Sequence, residues 1–474
     1  MVQFRKEDRE ETSFRDKLTT IDEKGKRVWV YAKKPRGKLT RYRIITAILL
    51  LAIFFAGPFI KIKGEPVLLM NFMERKFIVL GVQFWPQDFH LFFLAMIFLM
   101  VFIILFTVVY GRVFCGWACP QTIFMEMIYR RIEWLIEGTP RDQKQLEEQP
   151  WNVEKIWKKT LKHGIFYLIA FIISNFFLAY IIGIEQLKEI ITGNPFHHLA
   201  GLAGMIVFAS VFYFVFAWFR EQVCSMVCPY GRLQGVLLDR NSIVVAYDYK
   251  RGEPRGTFFK GENRAAAGKG DCINCTQCVL VCPTGIDIRN GTQLECINCT
   301  ACIDACNSMM KAVNHAPGLI RYASERSIAE GRKIRFNSRA IAYSVVLGIL
   351  LGGIIYSLAA RKAVEVTILR ASGTLYQEQP DDRISNLYII KLVNKTSSDM
   401  PVSIRLLSSE GEVKVIGDKI LAKARSVSES VFFIYFDRSQ VLKEKIPVEL
   451  GIYSADQEIR KVHSVFNGPI TRSP

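Results

Sequence analysis

Between Cys272 and Cys306 the chain reads C-x2-C-x2-C-x3-C twice over: Cys272, Cys275, Cys278 and Cys282, then Cys296, Cys299, Cys302 and Cys306. Eight thiols in 35 residues leave this stretch little freedom, because it must fold around whatever they bind. The spacing suits two [4Fe-4S] clusters, three close cysteines gripping one cluster while the fourth, displaced by a turn, reaches across to the other. The expected ligand sets are Cys272, Cys275, Cys278 with Cys306, and Cys296, Cys299, Cys302 with Cys282. Zinc would use pairs of cysteines separated by a longer spacer, and neither that pattern nor a disulfide framework matches a three-plus-one run repeated in tandem.

Pro283 after Cys282 matches the bacterial ferredoxin form C-x2-C-x2-C-x3-C-P, whereas Asn307 stands where the second run would carry its proline. Two clusters held by shared runs sit close together, so the segment reads as an electron wire.

With 474 residues, half of them hydrophobic, and a mean hydropathy of +0.18, the chain is too long and too apolar for one soluble domain. A membrane protein with appended domains is expected. The formal charge of +18 would suit nucleic acid, but its placement along the chain explains it better, and no nucleic-acid partner is expected. All twelve cysteines fall in motifs, which fits a reducing compartment for the cluster-bearing face. The polar N-terminus has no signal-peptide shape.

Five apolar runs are long enough to span a bilayer: 44–62, 90–110, 164–183, 199–219 and 340–360. Pro58 should bend or stop the first. Lys and Arg crowd residues 1–43 (14), 111–163 (9) and 220–339 (17) and are sparse in the two intervening loops. By the positive-inside rule these three segments are cytoplasmic and the C-terminal tail lies outside, with Arg361 and Lys362 a minor opposing signal.

The domains expected are a cytoplasmic tail (1–43), partly disordered; a four-helix membrane core (44–239); a linker and ferredoxin-like domain (240–339); a fifth helix (340–360); and a β-domain on the outer side (361–474). Residues 126–138 read either as an interfacial amphipathic helix or as the second span continuing. The Gly-, Arg- and Lys-rich stretch 239–269 reads as a linker. From residue 364 onward, seven short β-branched runs separated by turns read as an immunoglobulin-type sandwich without a disulfide, an interaction module rather than a catalytic one.

The remaining cysteines form a second repeat, Cys115-Gly-Trp-Ala-Cys119-Pro120 and Cys224-Ser-Met-Val-Cys228-Pro229, placed at the ends of the second and fourth spans with Arg112 or Arg220 just before. If helical, each pair of thiols shares one face, and the proline breaks the helix where the membrane ends. The thiols could hold a soft ion such as Cu(I), cycle between dithiol and disulfide, converge on a further metal centre, or simply be small buried residues. Met125, Met127 and Met226 could add thioethers, though packing is the commoner role. His90, His197 and His198, at the far ends of the same two spans, could meet an incoming metal or a quinone; His163, His315 and His463 belong to no constellation.

A multispanning core with two C-x3-C-P motifs, a two-cluster ferredoxin segment, one more span and an immunoglobulin-like tail resemble the cytochrome c oxidase accessory protein family CcoG, also called FixG or RdxA. The resemblance covers nearly the whole chain in order. It implies a protein of the bacterial inner membrane that supports assembly of the cbb-type oxidase, partnered by assembly factors or copper chaperones and fed by an unidentified electron donor. It further implies a cupric reductase, with Cys115, Cys119, Cys224 and Cys228 as copper or redox-active thiols, fed by clusters on the other eight cysteines. Two rival readings stand beside it. The same core resembles ferredoxin-type quinol dehydrogenase subunits of periplasmic nitrate and nitrous oxide respiration, and a non-catalytic copper-handling scaffold would also use these parts.

Overall fold

The computed structural model describes residues 19–469 except 23, 63, 73–75, 86–87, 195, 265, 332–337, 362, 372, 374, 397, 409–410, 418–419, 442 and 455–456. The chain divides into two compact units, Met1–Ile354 and Ile355–Pro474.

Five helices are long and apolar enough to cross a membrane. The first, Lys38–Ala56, ends in a 3-10 turn over Gly57–Phe59, so Pro58 stops it as its missing N–H requires. The second runs Phe89–Tyr110. The third, Val153–Ile182, begins well before the apolar run, because Asn152 caps it by accepting the Lys155 N–H at 2.8 Å. The fourth runs Leu199–Phe214 and continues as a π-turn over Val215–Phe219, and the fifth is Ser338–Ala359. Between the first two spans lies a small antiparallel sheet of Leu68–Asn71, Lys76–Val79 and Val82–Phe84, too short to have been legible as strands.

Three expectations need correction. Residues 126–138 are not an extension of the second span, which ends at Tyr110. A π-turn over Phe124–Tyr129 leads into a helix Arg130–Ile136 whose Arg130 and Glu133 are buried, while Arg131 is exposed and Leu135 is 84% exposed. Glu133 accepts two bonds from Arg220 at 2.7 and 2.8 Å, Lys162 meets Glu137 at 2.8 Å, and Arg130 meets Glu126 at 3.1 Å. Alternation of apolar and charged residues shows that a helix has two faces; it does not show which one the protein buries.

The stretch 239–269 is not simply a linker. Val244–Tyr247 pairs antiparallel with Ile320–Ala323 across the ferredoxin segment, and buried Arg264 donates to the carbonyls of Gly256, Thr257, Gly270 and Cys272. Nor are residues 19–43 loose. The Lys33 N–H bonds Leu280 O at 2.7 Å, Trp134 Nε1 donates to Ala32 O, and Thr19 Oγ1 donates to Thr284 O. This segment is a strap along the cluster-bearing region. Residues 1–18 of the expected tail lie outside the described residues.

In the second unit two antiparallel sheets face each other. One has the order Glu412–Val415, Val427–Asp437, Arg383–Asn394, Val364–Arg370, with Gln377–Glu378 paired at its side. The other has the order Ile420–Ala422, Met400–Leu406, Lys445–Ser454, Gln457–Asn467. All seven expected strands are present, joined by two shorter ones. Tyr388, Phe432, Leu450, Ile452 and Phe466 are fully buried between the sheets, and Tyr388 donates its hydroxyl proton to Val465 O at 2.9 Å. Burial of this size offsets chain entropy without a covalent staple.

Candidate functional site

The ferredoxin segment is a repeat in structure as well as in sequence. Each half contains Cys-Ile-Asn-Cys-Thr, and Asn274, Thr276, Asn298 and Thr300 all have left-handed backbones with φ of 53°, 55°, 53° and 64°. Asparagine tolerates this region, but a β-branched threonine enters it only where its surroundings insist. The turns lead into the helices Gln277–Leu280 and Ala301–Ala312, and they aim backbone N–H groups at sulfur: those of Asn298 at Cys296 and Ala301 at Cys299. Thr284, Gly285 and Ile286 do the same for Cys282. The repeated Asn and Thr are a signal that cysteine spacing alone passes over.

Two adjoining cavities open among these turns. One is lined by Cys272, Cys275, Cys278 and Cys306; the other by Cys282, Cys296, Cys299 and Cys302, with Cys278 on their common wall. Isoleucines from both halves surround them. Among the described residues no three Cys, His, Asp or Glu side chains come near enough to hold a single metal ion. Each set of four sulfurs instead rings a cavity, which is what a centre of several iron atoms needs. Burial pushes Cys278, Cys296 and Cys306 up to about 12 and Cys299 to about 11, so at neutral pH these thiols give up their protons only to a cation. The residues fit a pair of [4Fe-4S] clusters.

The C-x3-C-P motifs depart from the helical expectation. The second and fourth spans end at Tyr110 and Phe219, and the chain then turns sharply at Gly111 (φ 55°, ψ −134°) and Arg220 (φ 48°, ψ −123°). Cys115 lies on a short helix, Val113–Trp117, and Cys224 on a π-turn, Val223–Val227. Cys119 and Cys228 are extended, with ψ of 125° and 110°, and precede new helices Pro120–Ile123 and Pro229–Leu237. The Cys119 N–H bonds Phe114 O at 2.9 Å, and the Cys228 N–H makes the matching bond to Val223 O at 2.8 Å. The paired thiols therefore do not share one helical face, and each proline starts a helix instead of ending one, as its fixed φ and missing N–H permit at a first helical position. The two arginines are not equivalent either: Gly111 corresponds to Arg220, and Arg112 to Glu221.

The two motifs meet. Besides burial, the thiol of Cys115 feels Cys119 and Cys228, and that of Cys224 feels Cys119, Cys115 and Cys228. Burial leads in pushing both up to about 12, and Arg112 works against it. Arg112 Nε donates to Gln234 Oε1 at 3.1 Å and its other nitrogens to the carbonyls of Gly231 and Leu294, while the Cys115 thiol donates to the same Gln234 Oε1 at 3.1 Å. Gln234 and Arg112 thus hold Cys115 in place, and nothing in the cysteine spacing pointed to Gln234.

The quartet abuts the second cavity. Cys115 packs in one apolar group with Cys299, Ile297 and Val281. Gly116 is pressed so close to the following segment that a Cβ there would lie 2.4 Å from Ile297 O, and Arg43 Nε holds Gly116 O at 2.7 Å. The order through the protein is first cavity, second cavity, thiol quartet.

The auxiliary candidates fall away from this line. Met125 is buried among Phe124, Tyr129 and Phe216, Met127 faces Arg131, and Met226 is 37% exposed. His90 and His197 are exposed, His198 packs on Gly193, His163 Nδ1 pairs with Tyr213 Oη at 2.9 Å, His315 faces Asp271 and His463 lies opposite Glu449 on a strand. Among the described residues none joins a group able to hold a metal.

Three families match the chain: a 4Fe-4S binding domain over residues 92–137, a 4Fe-4S dicluster domain over 219–325, and the IG-like fold at the C-terminus of FixG over 354–469. The nitrogen fixation protein FixG of Rhizobium meliloti is 31% identical over 422 residues, covering 80% of this chain and 79% of its own. The chain belongs to the FixG family. Protein RdxA of Cereibacter sphaeroides is 32% identical over 358 residues, 73% of this chain and 74% of that one, and protein RdxB of the same organism is 30% identical over 468 residues, 94% and 97%. As a FixG relative with iron–sulfur domains and five membrane-competent helices, the chain is an iron–sulfur electron-transfer protein. The two 4Fe-4S matches divide the C-x3-C-P motifs between them, Cys115 and Cys119 in one, Cys224 and Cys228 in the other.

Proposed function

We propose that this FixG relative is a cupric reductase of the bacterial inner membrane that supplies Cu(I) for assembly of a cbb-type oxidase, with the cluster-bearing face in the cytoplasm. One observation carries the reading: the thiols of two distant motifs come within electrostatic reach of one another, with Cys115 packed beside Cys299 of the second cluster cavity. Cys272, Cys275, Cys278 and Cys306 would hold one cluster, and Cys282, Cys296, Cys299 and Cys302 the other. When bound, the clusters supply one-electron storage at two adjoining points.

The protein's own residues then shape the terminus. Cu(II) enters as substrate, takes one electron and is held as Cu(I), the softer state and the better match for sulfur. Each thiol that binds copper releases its proton, and Arg112, beside Cys115, steadies the thiolate left behind. Until that proton leaves, Gln234 Oε1 orients the Cys115 sulfur by accepting its S–H. The π-turn carrying Cys224 leaves that strand of the site unlike the α-turn carrying Cys115, so the two halves need not bind equally.

The match of a 4Fe-4S binding domain to 92–137, where Cys115 and Cys119 are the only cysteines, favours a second reading in which the quartet itself holds an iron–sulfur centre. One double variant decides. In Cys115→Ser/Cys119→Ser, turnover of Cu(II) with a chemical reductant is lost while iron stays at about eight atoms per chain, the content of two cubanes. Undiminished copper reduction would end the cupric reductase reading, and loss of about four further iron atoms from a wild-type total near twelve would establish the second.

A further inference from the structure

A broad cleft of about 1210 Å³ opens beside the cluster segment. Its walls are the N-terminal strap at Lys33, Lys34 and Arg36, and the chain at Arg131, Arg141 and Lys144. Against these six cations stands one lining carboxylate, Asp142, which is spent in a capping box: it accepts from the N–H and hydroxyl of Thr139 at 2.8 and 2.7 Å. Lys144 pairs with Glu148 at 3.7 Å; among the described residues the other five cations have no carboxylate within ion-pairing distance. The floor is apolar and lies over the clusters' own ligand turns, Leu280 and Val281 between Cys278 and Cys282, and Ala305 next to Cys306. Leu280 is 47% and Leu135 is 84% exposed there.

The geometry points to this cleft as the docking site of an acidic one-electron carrier protein of ferredoxin or flavodoxin kind. The inference rests on the iron–sulfur reading above and names what feeds it. A basic rim around a small apolar floor is the make-up of transient, charge-steered interfaces, which gain on-rate from complementary charge and need little buried area. A nucleotide fits less well. The volume exceeds the roughly 300–1,000 Å³ of small-molecule pockets, and the N-terminus of the helix Pro140–Glu148, the natural seat for a phosphate, is already closed by Asp142. In each encounter the carrier leaves one electron behind and departs oxidised by one, with no atom transferred.

The test uses the full, cluster-loaded chain in detergent and an acidic plant-type [2Fe-2S] ferredoxin as the probe. Binding of the oxidised ferredoxin to immobilised protein should weaken by about tenfold or more between 50 and 300 mM NaCl. In Lys34→Glu/Arg36→Glu/Arg141→Glu, all exposed positions, it should weaken by a similar factor even at low salt, with Arg141→Glu alone intermediate. Reduction of the variant by dithionite, which needs no docking, should be unchanged. Equal affinity in wild type and variant would overturn the proposal, as would saturable NADPH or anionic-vesicle binding that the triple variant abolishes while ferredoxin binding is absent. A protein that dithionite cannot bleach would instead sink the iron–sulfur reading itself.

Discussion

Arg220 shows how much one residue can cost and return. Its backbone sits where Gly111 sits in the sister motif, at φ 48° and ψ −123°, a region that burdens any side chain by about 1–3 kcal/mol. Its side chain compensates, for the guanidinium holds both oxygens of Glu133 in a buried fork. Burial alone would raise the Glu133 pKa, but Arg220 and then Lys162 outweigh it and hold the carboxylate below its usual range. A group with a depressed folded pKa stabilises the protein above its unfolded value and loses that contribution as pH falls through the folded one. Arg220→Ala is therefore expected to cost about 3–5 kcal/mol near neutral pH, because it strands a buried charge, and the added change Glu133→Gln should recover much of it. Thermal unfolding in detergent at pH 7 and at pH 4 measures both, with the gap between Arg220→Ala and wild type narrowing in acid. Equal instability of the single and double variants would show that the ion pair is not what holds this turn.

At the scale of elements, helix ends are where this protein joins its parts. The first span begins after Gly37, which has no side chain to cap it, and the cap comes from another element: Asp304, between two cluster cysteines, accepts from Thr40 N and Thr40 Oγ1 at 2.7 Å and from Leu39 N at 3.3 Å. Gly37 is needed for that approach, since a Cβ there would lie 2.1 Å from Asp304 Cγ. Asp304→Ala should cost about 0.5–2 kcal/mol, the ordinary worth of an N-cap, and Gly37→Ala should do more, by pushing the strap off the ferredoxin segment. Limited proteolysis of the strap in the two variants, compared with unfolding midpoints, checks this; a Gly37→Ala protein as resistant as wild type would refute the close approach. The same scale explains why the C-x3-C-P expectation failed. A proline after an apolar span can end one helix or begin the next, and the choice depends on the turn before it, which here is made at Gly111 and Arg220.

For the whole molecule, the two units have separate cores, and that of Ile355–Pro474 contains seventeen buried residues, all but Val441 drawn from its own sheets. Residues 363–469 expressed alone should unfold in one cooperative transition, and the chain cut after residue 360 should keep its iron–sulfur absorbance; a molten or insoluble C-terminal fragment would contradict the separation. The first unit is organised differently, by long-range joins. The strap bonds residues some 250 positions away, as in Thr19 to Thr284, and the two C-x3-C-P motifs lie 109 positions apart yet share one group of thiols.

Whatever depends on near neighbours could be read directly. Cysteines three and four apart on a tight turn, twenty apolar residues in a row, and short β-branched runs between turns each state a local geometry, so the cluster segment, the five spans and the seven strands were visible in the order of residues alone. What depends on closing long loops could not be read. That Cys115, Cys119, Cys224 and Cys228 form one quartet, that it stands next to Cys299, that the charges of Glu133 and Arg130 face inward, and that Lys33, Lys34 and Arg36 wall a cleft over the cluster turns were all decided by tertiary packing. The reason is that spacing along a chain fixes distance only over a few residues, whereas these contacts exist because burial and ion pairing repay the entropy of bringing remote segments together.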